Sequence, residues 1–302
     1  MKAHYRDQFK QLHRDYASDS TDQLHSQVDH ENLKFYKVLK PLGDGSSAVV
    51  HLVSDTRDDK KYAMKAFLKS LSNGFSKANV IKEAEILAKL NHPNIIKLHE
   101  WFEGHKKVYL LLEYVGPMTL AHYLENKKHD KGALAEEEAA RIFHEVGQGL
   151  AYLHSKRIYH RDVKLHNVMI GKQGQVKIID LGYGVETEKG VKVDTFCGTP
   201  SYMSPEVIAR EAYIPEKYDV WSFGVCLFKA IVGRFPFVGL NPNNLFFLIK
   251  KAKYELPPTV SSEARTLIAA LLHPDPEDRP TMKEALQFKW FDKVNFESTA
   301  EI

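Results

Sequence analysis

Three stretches gather side chains that could do chemistry. Gly43-Asp44-Gly45-Ser46-Ser47-Ala48-Val49-Val50 reads as a strand, a turn and a strand. Glycines there let backbone N–H groups approach phosphate oxygens with no Cβ in the way. On its own such a turn is usually only a hairpin. It has no Gly-Lys-Ser/Thr ending and leads into a strand, which argues against a Walker-type loop. Next, Ala63-Met64-Lys65 places a lysine at the end of an apolar strand, an uncommon position unless the charge is paired. Glu83, in a segment of helical period, would pair it and leave the ammonium aimed at phosphates. Either residue alone also reads as a snorkelling surface charge. The third stretch is Tyr159-His160-Arg161-Asp162-Val163-Lys164-Leu165-His166-Asn167-Val168, followed by Ile178-Ile179-Asp180-Leu181-Gly182. Taken singly, each carboxylate there has an ordinary reading as a loop cap.

The elements that must position these groups follow from hydrophobic period. Phe35 to Lys40, Ala48 to Val53, Lys61 to Phe67, Ile95 to Phe102 and Val108 to Tyr114 are β-branched or aromatic runs. Val80 to Leu90 has helical period. The order β-β-β-α-β-β predicts an antiparallel sheet with one helix, not a βαβ series. After Gly116-Pro117 helices take over, around 135–154, 218–232, 244–252, 262–272 and 281–288. In the first of these Ile142, Phe143, Val146, Leu150 and Leu153 share a face. The expected division is a polar extension over 1–33, a β-rich lobe over 34–115, a helical lobe over 116–293 and a tail over 294–302. The extension reads as partly helical between Tyr5 and Tyr16, and its His4, His13, His25 and His30 match no compact metal motif.

Composition bounds the class. The chain has 302 residues, 43% hydrophobic and 27% charged, which suits a globular protein of two lobes. The net charge of +3, from 42 Lys and Arg against 39 Asp and Glu, argues against nucleic acid or an anionic membrane as main partner. Two cysteines, Cys197 and Cys226, exclude a disulfide-built fold and predict a reducing, cytoplasmic setting. The first residues carry no apolar leader, and Lys2 follows the initiating methionine where N-terminal acylation would need a glycine. Trp221 to Val232, interrupted by Lys229, is too short to span a bilayer.

His160-Arg161-Asp162 with Asn167 five residues on, and then Asp180-Leu181-Gly182, resembles the eukaryotic protein kinases of Ser/Thr type. Gly43, Gly45, Val50, Lys65 and Glu83 fall in the matching order before them. Ser204-Pro205-Glu206, Asp219 to Gly224 and Arg279 extend the likeness over roughly residues 34 to 292. The resemblance implies an α+β bilobal fold with ATP between the lobes. It also implies transfer of the γ-phosphoryl group of Mg-ATP to protein Ser or Thr hydroxyls. On this reading Asp162 takes or orients the hydroxyl proton, Lys164 neutralises the γ-phosphate, and Lys65, paired with Glu83, holds the α- and β-phosphates. Asn167 and Asp180 are the implied Mg²⁺ ligands. Gly43, Gly45 and Ala48 form the phosphate loop. Val50, Ala63 and Met169 stack on adenine, Glu113 to Val115 is the hinge, and Leu112 is the gatekeeper. Leu87, Leu98, His160 and Leu181 resemble a second apolar stack, and Glu206 with Arg279 a buried ion pair.

Residues 180 to 206 match an activation segment. Thr195 stands at the usual phosphorylation position for an upstream kinase, with Arg161 to receive the phosphate; it also reads as a plain loop threonine. Thr199 is expected to hydrogen-bond Asp162 and Lys164. The pattern departs at Ala48, for the third glycine, and at Leu181, for a phenylalanine. Val185 stands for a second basic residue, and His166 and Thr119 for acids. Arginine-directed specificity is therefore in doubt. The stretches 198–202 and 233–237 look most like the calcium/calmodulin-dependent and polo-related branches, although no autoinhibitory helix or polo-box is expected after them. A monomeric catalytic unit is expected. Two other readings are a pseudokinase acting as a scaffold, which would need a missing catalytic part, and a small-molecule phosphotransferase, against which Lys164 and the long activation segment argue.

Overall fold

The computed structural model describes residues 30–44, 48–69, 77–116, 118–127 and 132–293. Gly45, most of the N-terminal extension and the 294–302 tail lie outside the described residues. The chain divides into two compact units. One runs to Ala84 and includes Leu98–Tyr114; the other takes Glu85–Lys97 and everything from Val115.

The smaller unit is a five-stranded antiparallel sheet of β1 (Tyr36–Asp44), β2 (Ala48–Asp55), β3 (Lys61–Leu68), β4 (Leu98–Glu103) and β5 (Lys107–Glu113). Its strand order is β1-β2-β3-β5-β4. Helix α1 (Lys77–Ala88) comes between β3 and β4 in the chain. The strand expected to begin at Ile95 begins instead at Leu98, because Ile95 bridges to Ile178. Register decides which side chains share a face. Val50 stands opposite Lys65, Lys65 opposite Leu110, and Ala63 opposite Leu112. Residues directly opposite in an antiparallel pair point to the same side. Ala48, Val50, Ala63, Lys65 and Leu112 therefore lie on one face. Tyr36, Val53, Tyr62, Met64, Ala66, Tyr109 and Leu111 pack with Phe102 into the apolar core on the other.

The larger unit is mostly helical. After β6 (Met118–Thr119) come α2 (Leu120–Asn126) and α3 (Glu136–Ser155), then the short strands β7 (Ile158–Tyr159), β8 (Val168–Ile170), β9 (Val176–Ile178) and β10 (Val185–Glu186). Strands β6, β8 and β9 form one small sheet, and β10 pairs with β7. Helices α4 (Pro205–Ile208), α5 (Pro215–Val232), α6 (Pro242–Lys251), α7 (Ser262–Leu271) and α8 (Met282–Ala285) follow. The face of α3 read from period is buried throughout. Helix α5 is apolar nearly all round, as a helix enclosed by others must be. It starts before Tyr218 because Pro215 fits a first helical turn, and it stops at left-handed Gly233. The helix expected over 281–288 keeps only Met282–Ala285, opened by a Thr281/Glu284 capping box. Among the described residues no helix is long and apolar enough to cross a membrane.

Arg279 is the most constrained charge in this unit. Its Nη1 and Nη2 reach Glu206 at 2.7 and 2.9 Å, and its remaining N–H groups donate to the carbonyls of His273, Lys217 and Pro274. All five donors are used, and the guanidinium lies 4.9 Å from the Trp221 ring. Removing one partner of such a pair strands a buried charge, so Arg279→Ala is expected to cost about 3–5 kcal/mol. Denaturant unfolding followed by fluorescence checks this; a loss under about 1 kcal/mol would show that Glu206 finds solvent instead.

Candidate active site

In the smaller unit Lys65 Nζ lies 3.0 Å from Glu83 Oε1, with the lysine side chain 13% exposed and the glutamate 1%. β3 places the lysine by register, and α1 presents the carboxylate. Gly43 pairs with Val50 at the open end of β1. Glu113 closes β5, and Val115 follows it, half-buried.

In the larger unit the segment between β7 and β8 is shaped by a carboxylate from elsewhere. Asp219, fully buried in the first turns of α5, accepts the backbone N–H of His160 at 2.8 Å and of Arg161 at 2.7 Å. It also meets His154 Nε2 at 3.0 Å. Arg161 holds a left-handed backbone, φ 61°, an unfavourable conformation for a side chain of its size. His160 accepts the Asp162 N–H through Nδ1 and lies 3.1 Å from the Ile179 carbonyl through Nε2. The amide can only donate and the carbonyl only accept, so the ring is neutral with its proton on Nε2.

These anchors leave Asp162 4% exposed and fixed on both oxygens. Oδ2 lies 2.5 Å from Lys164 Nζ, and Oδ1 accepts the Thr199 hydroxyl at 2.8 Å. That hydroxyl accepts in turn from Lys164 at 3.2 Å, as the sequence reading expects. Asn167 Nδ2 donates to the Asp162 carbonyl at 2.9 Å, which turns its amide oxygen the other way. The Ile179 N–H donates to the Asn167 carbonyl at 2.8 Å, laying the chain that enters Asp180 alongside. Asp180 is itself left-handed, φ 65°. Met169 sits half-buried in β8. The larger unit thus brings Asp162, Lys164, Asn167 and the approach to Asp180 together; Lys65 and Glu83 belong to the smaller one.

Asp219 and His154 carry structural parts that reading by residue type did not assign. The available signal was a carboxylate at the edge of the most apolar helical stretch of the chain. Around the site, burial pushes the Cys197 thiol and the Tyr213 and Tyr218 hydroxyls up, so these remain protonated. Burial, aided by Lys164, holds His166 below the ordinary histidine range. Its ring packs edge-on against His122, 6.4 Å between centroids. Thr195 is exposed, and Arg161, nine-tenths buried, has an Nη1 that makes no hydrogen bond among the described residues.

The protein kinase domain pattern matches residues 36–291. The chain belongs to the protein kinase family. CBL-interacting protein kinase 9 of Oryza sativa subsp. japonica is 36% identical over 85% of this chain and 57% of its own length. SNF1-related protein kinase catalytic subunit alpha KIN12 of Arabidopsis thaliana is 37% identical over 85% of this chain and 51% of its own length. The probable serine/threonine-protein kinase MARK-A of Dictyostelium discoideum is 36% identical over 86% of this chain and 24% of its own length. The chain spans about half the length of the plant relatives it matches.

Thr199 gives this cluster a direct test. A hydrogen bond to a charged group contributes about 1.5–3 kcal/mol, so Thr199→Val is expected to lower stability by about that much, whereas Thr199→Ser keeps most of it. Equal losses for both variants in a denaturation titration would assign the effect to the methyl group instead.

Proposed function

We propose that this kinase-family chain transfers the γ-phosphoryl group of Mg-ATP to Ser or Thr hydroxyls of protein substrates. The observation that carries the reading is the Asp162 carboxylate, buried and held on both oxygens by Lys164 and Thr199 in a loop anchored on Asp219. Phosphoryl transfer needs positioning and charge neutralisation more than covalent help. Asp162 would accept or orient the proton of the attacking hydroxyl. Lys164, 2.5 Å away, supplies positive charge for the γ-phosphate and marks a Ser/Thr rather than a Tyr acceptor. Lys65, oriented by Glu83, would hold the α- and β-phosphates, and the 43–50 turn would give backbone N–H groups to them.

A carboxylate at Asp180 and an amide oxygen at Asn167 are hard oxygen donors, the set that suits Mg²⁺. Mg²⁺, when bound, neutralises charge developing on the phosphates. Val50 and Ala63, on the Lys65 face of the sheet, and Met169 would supply apolar surface for adenine, and Glu113 to Val115 the backbone groups for its edge. Thr195 is the proposed site for an upstream kinase, its phosphate received by the Arg161 guanidinium. His166, neutral near pH 7, gives no carboxylate for a substrate arginine. Both cysteines are free and buried, which suits a reducing, cytoplasmic setting.

The test is incubation of the full chain with labelled Mg-ATP and a degenerate Ser/Thr/Tyr peptide library. Label is expected on Ser and Thr peptides without selection for arginine. Asp162→Asn and Lys65→Met should each lower transfer by about 10²–10⁴-fold, the usual worth of a positioned proton acceptor or charge. No transfer and no nucleotide binding would overturn the catalytic reading in favour of a scaffold, whereas ATP binding without transfer, with Thr195 phosphorylated, would point to a missing activator or a narrow substrate. Transfer to a sugar but to no peptide would replace the substrate class.

A further inference from the structure

The three most exposed large apolar side chains among the described residues lie close in sequence, two in the turn before α6 and one within it. Leu240 is 100% exposed, Val238 68% and Phe247 57%. The segment that presents them is held in place. The Leu240 N–H donates to Asn244 Oδ1 at 3.2 Å, and Asn241 caps the helix by accepting the Asn244 N–H at 2.9 Å. Gly239 packs so closely under the first turn that a Cβ there would lie 2.3 Å from the Leu245 nitrogen. Pro242 sits in the first turn, and Ile249, on the opposite side of the helix, is fully buried. Apolar side chains held out of the core by a capped helix and the turn before it mark an interaction site.

Charge narrows the partner. Within α6 the four-residue spacing puts Phe247 and Lys251 on one helical face, with Lys250 beside them, and Leu240 stands in the turn just before the cap. Lys251 Nζ lies 5.5 Å from the Phe247 ring centroid. From Arg234 to Tyr254 the chain carries Arg234, Lys250, Lys251 and Lys253 and no carboxylate. Exposed Glu255 ends this stretch, so the cationic rim is Lys250 and Lys251 at the end of α6, and an apolar anchor beside it complements a segment of opposite design. A second copy of the same face would bring like charges together.

We propose that this face docks an acidic amphipathic segment of a partner protein. Large apolar side chains of the partner would cover Val238, Leu240 and Phe247, and its Asp or Glu residues would meet Lys250 and Lys251. The surface uses none of the proposed catalytic residues and needs no ATP.

The experiment is fluorescence anisotropy of the full chain, without nucleotide, against an array of labelled peptides of about 16 residues. The peptides carry Leu and Phe at varied helical spacings with an Asp/Glu-rich end, each matched to a version with Lys in place of the acids. Acidic peptides are expected to bind saturably and at least about tenfold more tightly than their basic partners. Leu240→Asp and Phe247→Asp should each weaken that binding by about tenfold or more while leaving the unfolding midpoint in place, because both side chains are exposed. Lys250→Glu combined with Lys251→Glu should reverse the preference toward basic peptides. Equal binding of acidic and basic peptides, or acidic binding unmoved by these substitutions, would overturn the proposal. So would a sedimenting dimer abolished by Leu240→Asp, or binding to phosphatidylserine vesicles with none to any peptide. Each of these outcomes leaves the peptide phosphorylation assay unaffected, so the two readings fail separately.

Discussion

The larger unit depends on one buried carboxylate. Asp219 has no exposure to water, and an isolated charge there would be prohibitive. Its oxygens are filled by two backbone N–H groups of the 160–162 segment and by His154, all within 3.0 Å. Bonds to a charged acceptor contribute about 1.5–3 kcal/mol each, more than the roughly 1–2 kcal/mol that a left-handed non-glycine residue such as Arg161 costs. The strained loop is thus the lowest-energy way to satisfy a charge already committed to the core. Neighbouring turns of the same helix extend the effect. Tyr218 donates to the Cys197 carbonyl at 3.2 Å and Ser222 to the Tyr202 carbonyl at 2.9 Å. Gly198, at φ 106°, lies so close beneath Tyr218 that a Cβ would fall 2.0 Å from its hydroxyl. One helix therefore shapes both the segment that carries Asp162 and the one that carries Thr199.

With both segments fixed, the charges in the loop need little rearrangement to act. Asp162 and Lys164 already form a close pair, and Thr199 bridges them. Groups set by folding, not by the arrival of a ligand, are where electrostatic preorganisation comes from. Asn167 shows the economy of the arrangement. Its amide hydrogens are spent on the Asp162 carbonyl and its backbone carbonyl on Ile179, leaving the amide oxygen as its remaining strong acceptor.

The succession of strands along the chain, the helix that carries Glu83 and the buried face of α3 were legible because they rest on local period, which sequence displays directly. The pairing of Lys65 with Glu83 was legible for another reason. A lysine inside an apolar strand must find a counter-charge, and the next helix offered one. Asp219 was legible as part of the family likeness but its structural part was not, because its partners are backbone amides about sixty positions away, groups that every residue has and no pattern marks. The start of β4 was missed because the residues on either side of Ile95 bond Ile178, through the Asn94 carbonyl and the Ile96 N–H, a long-range choice that overrides β propensity. The exposed face at Leu240 was likewise invisible, since the apolar spacing of 245–249 looks the same whether its neighbours are covered or not.

Two buried ion pairs of the chain show how side-chain shape sorts permanent contacts from exchangeable ones. Arg279 is a rigid fork whose five donors all find acceptors, two on Glu206 and three on carbonyls. Moving it would break several bonds at once, so it acts as a fixed strut. Lys65 is a compact ammonium on a flexible stem, 13% exposed, and needs no planar partner. Buried pairs of this kind sit near break-even between desolvation and attraction. Such a charge can turn from a carboxylate toward phosphate oxygens at little cost, because both offer the same hard acceptor atoms. An arginine in its place would bind Glu83 more firmly and, on the proposed function, serve the phosphates less well. The choice of residue at each pair thus follows from whether the contact has to persist or to be shared.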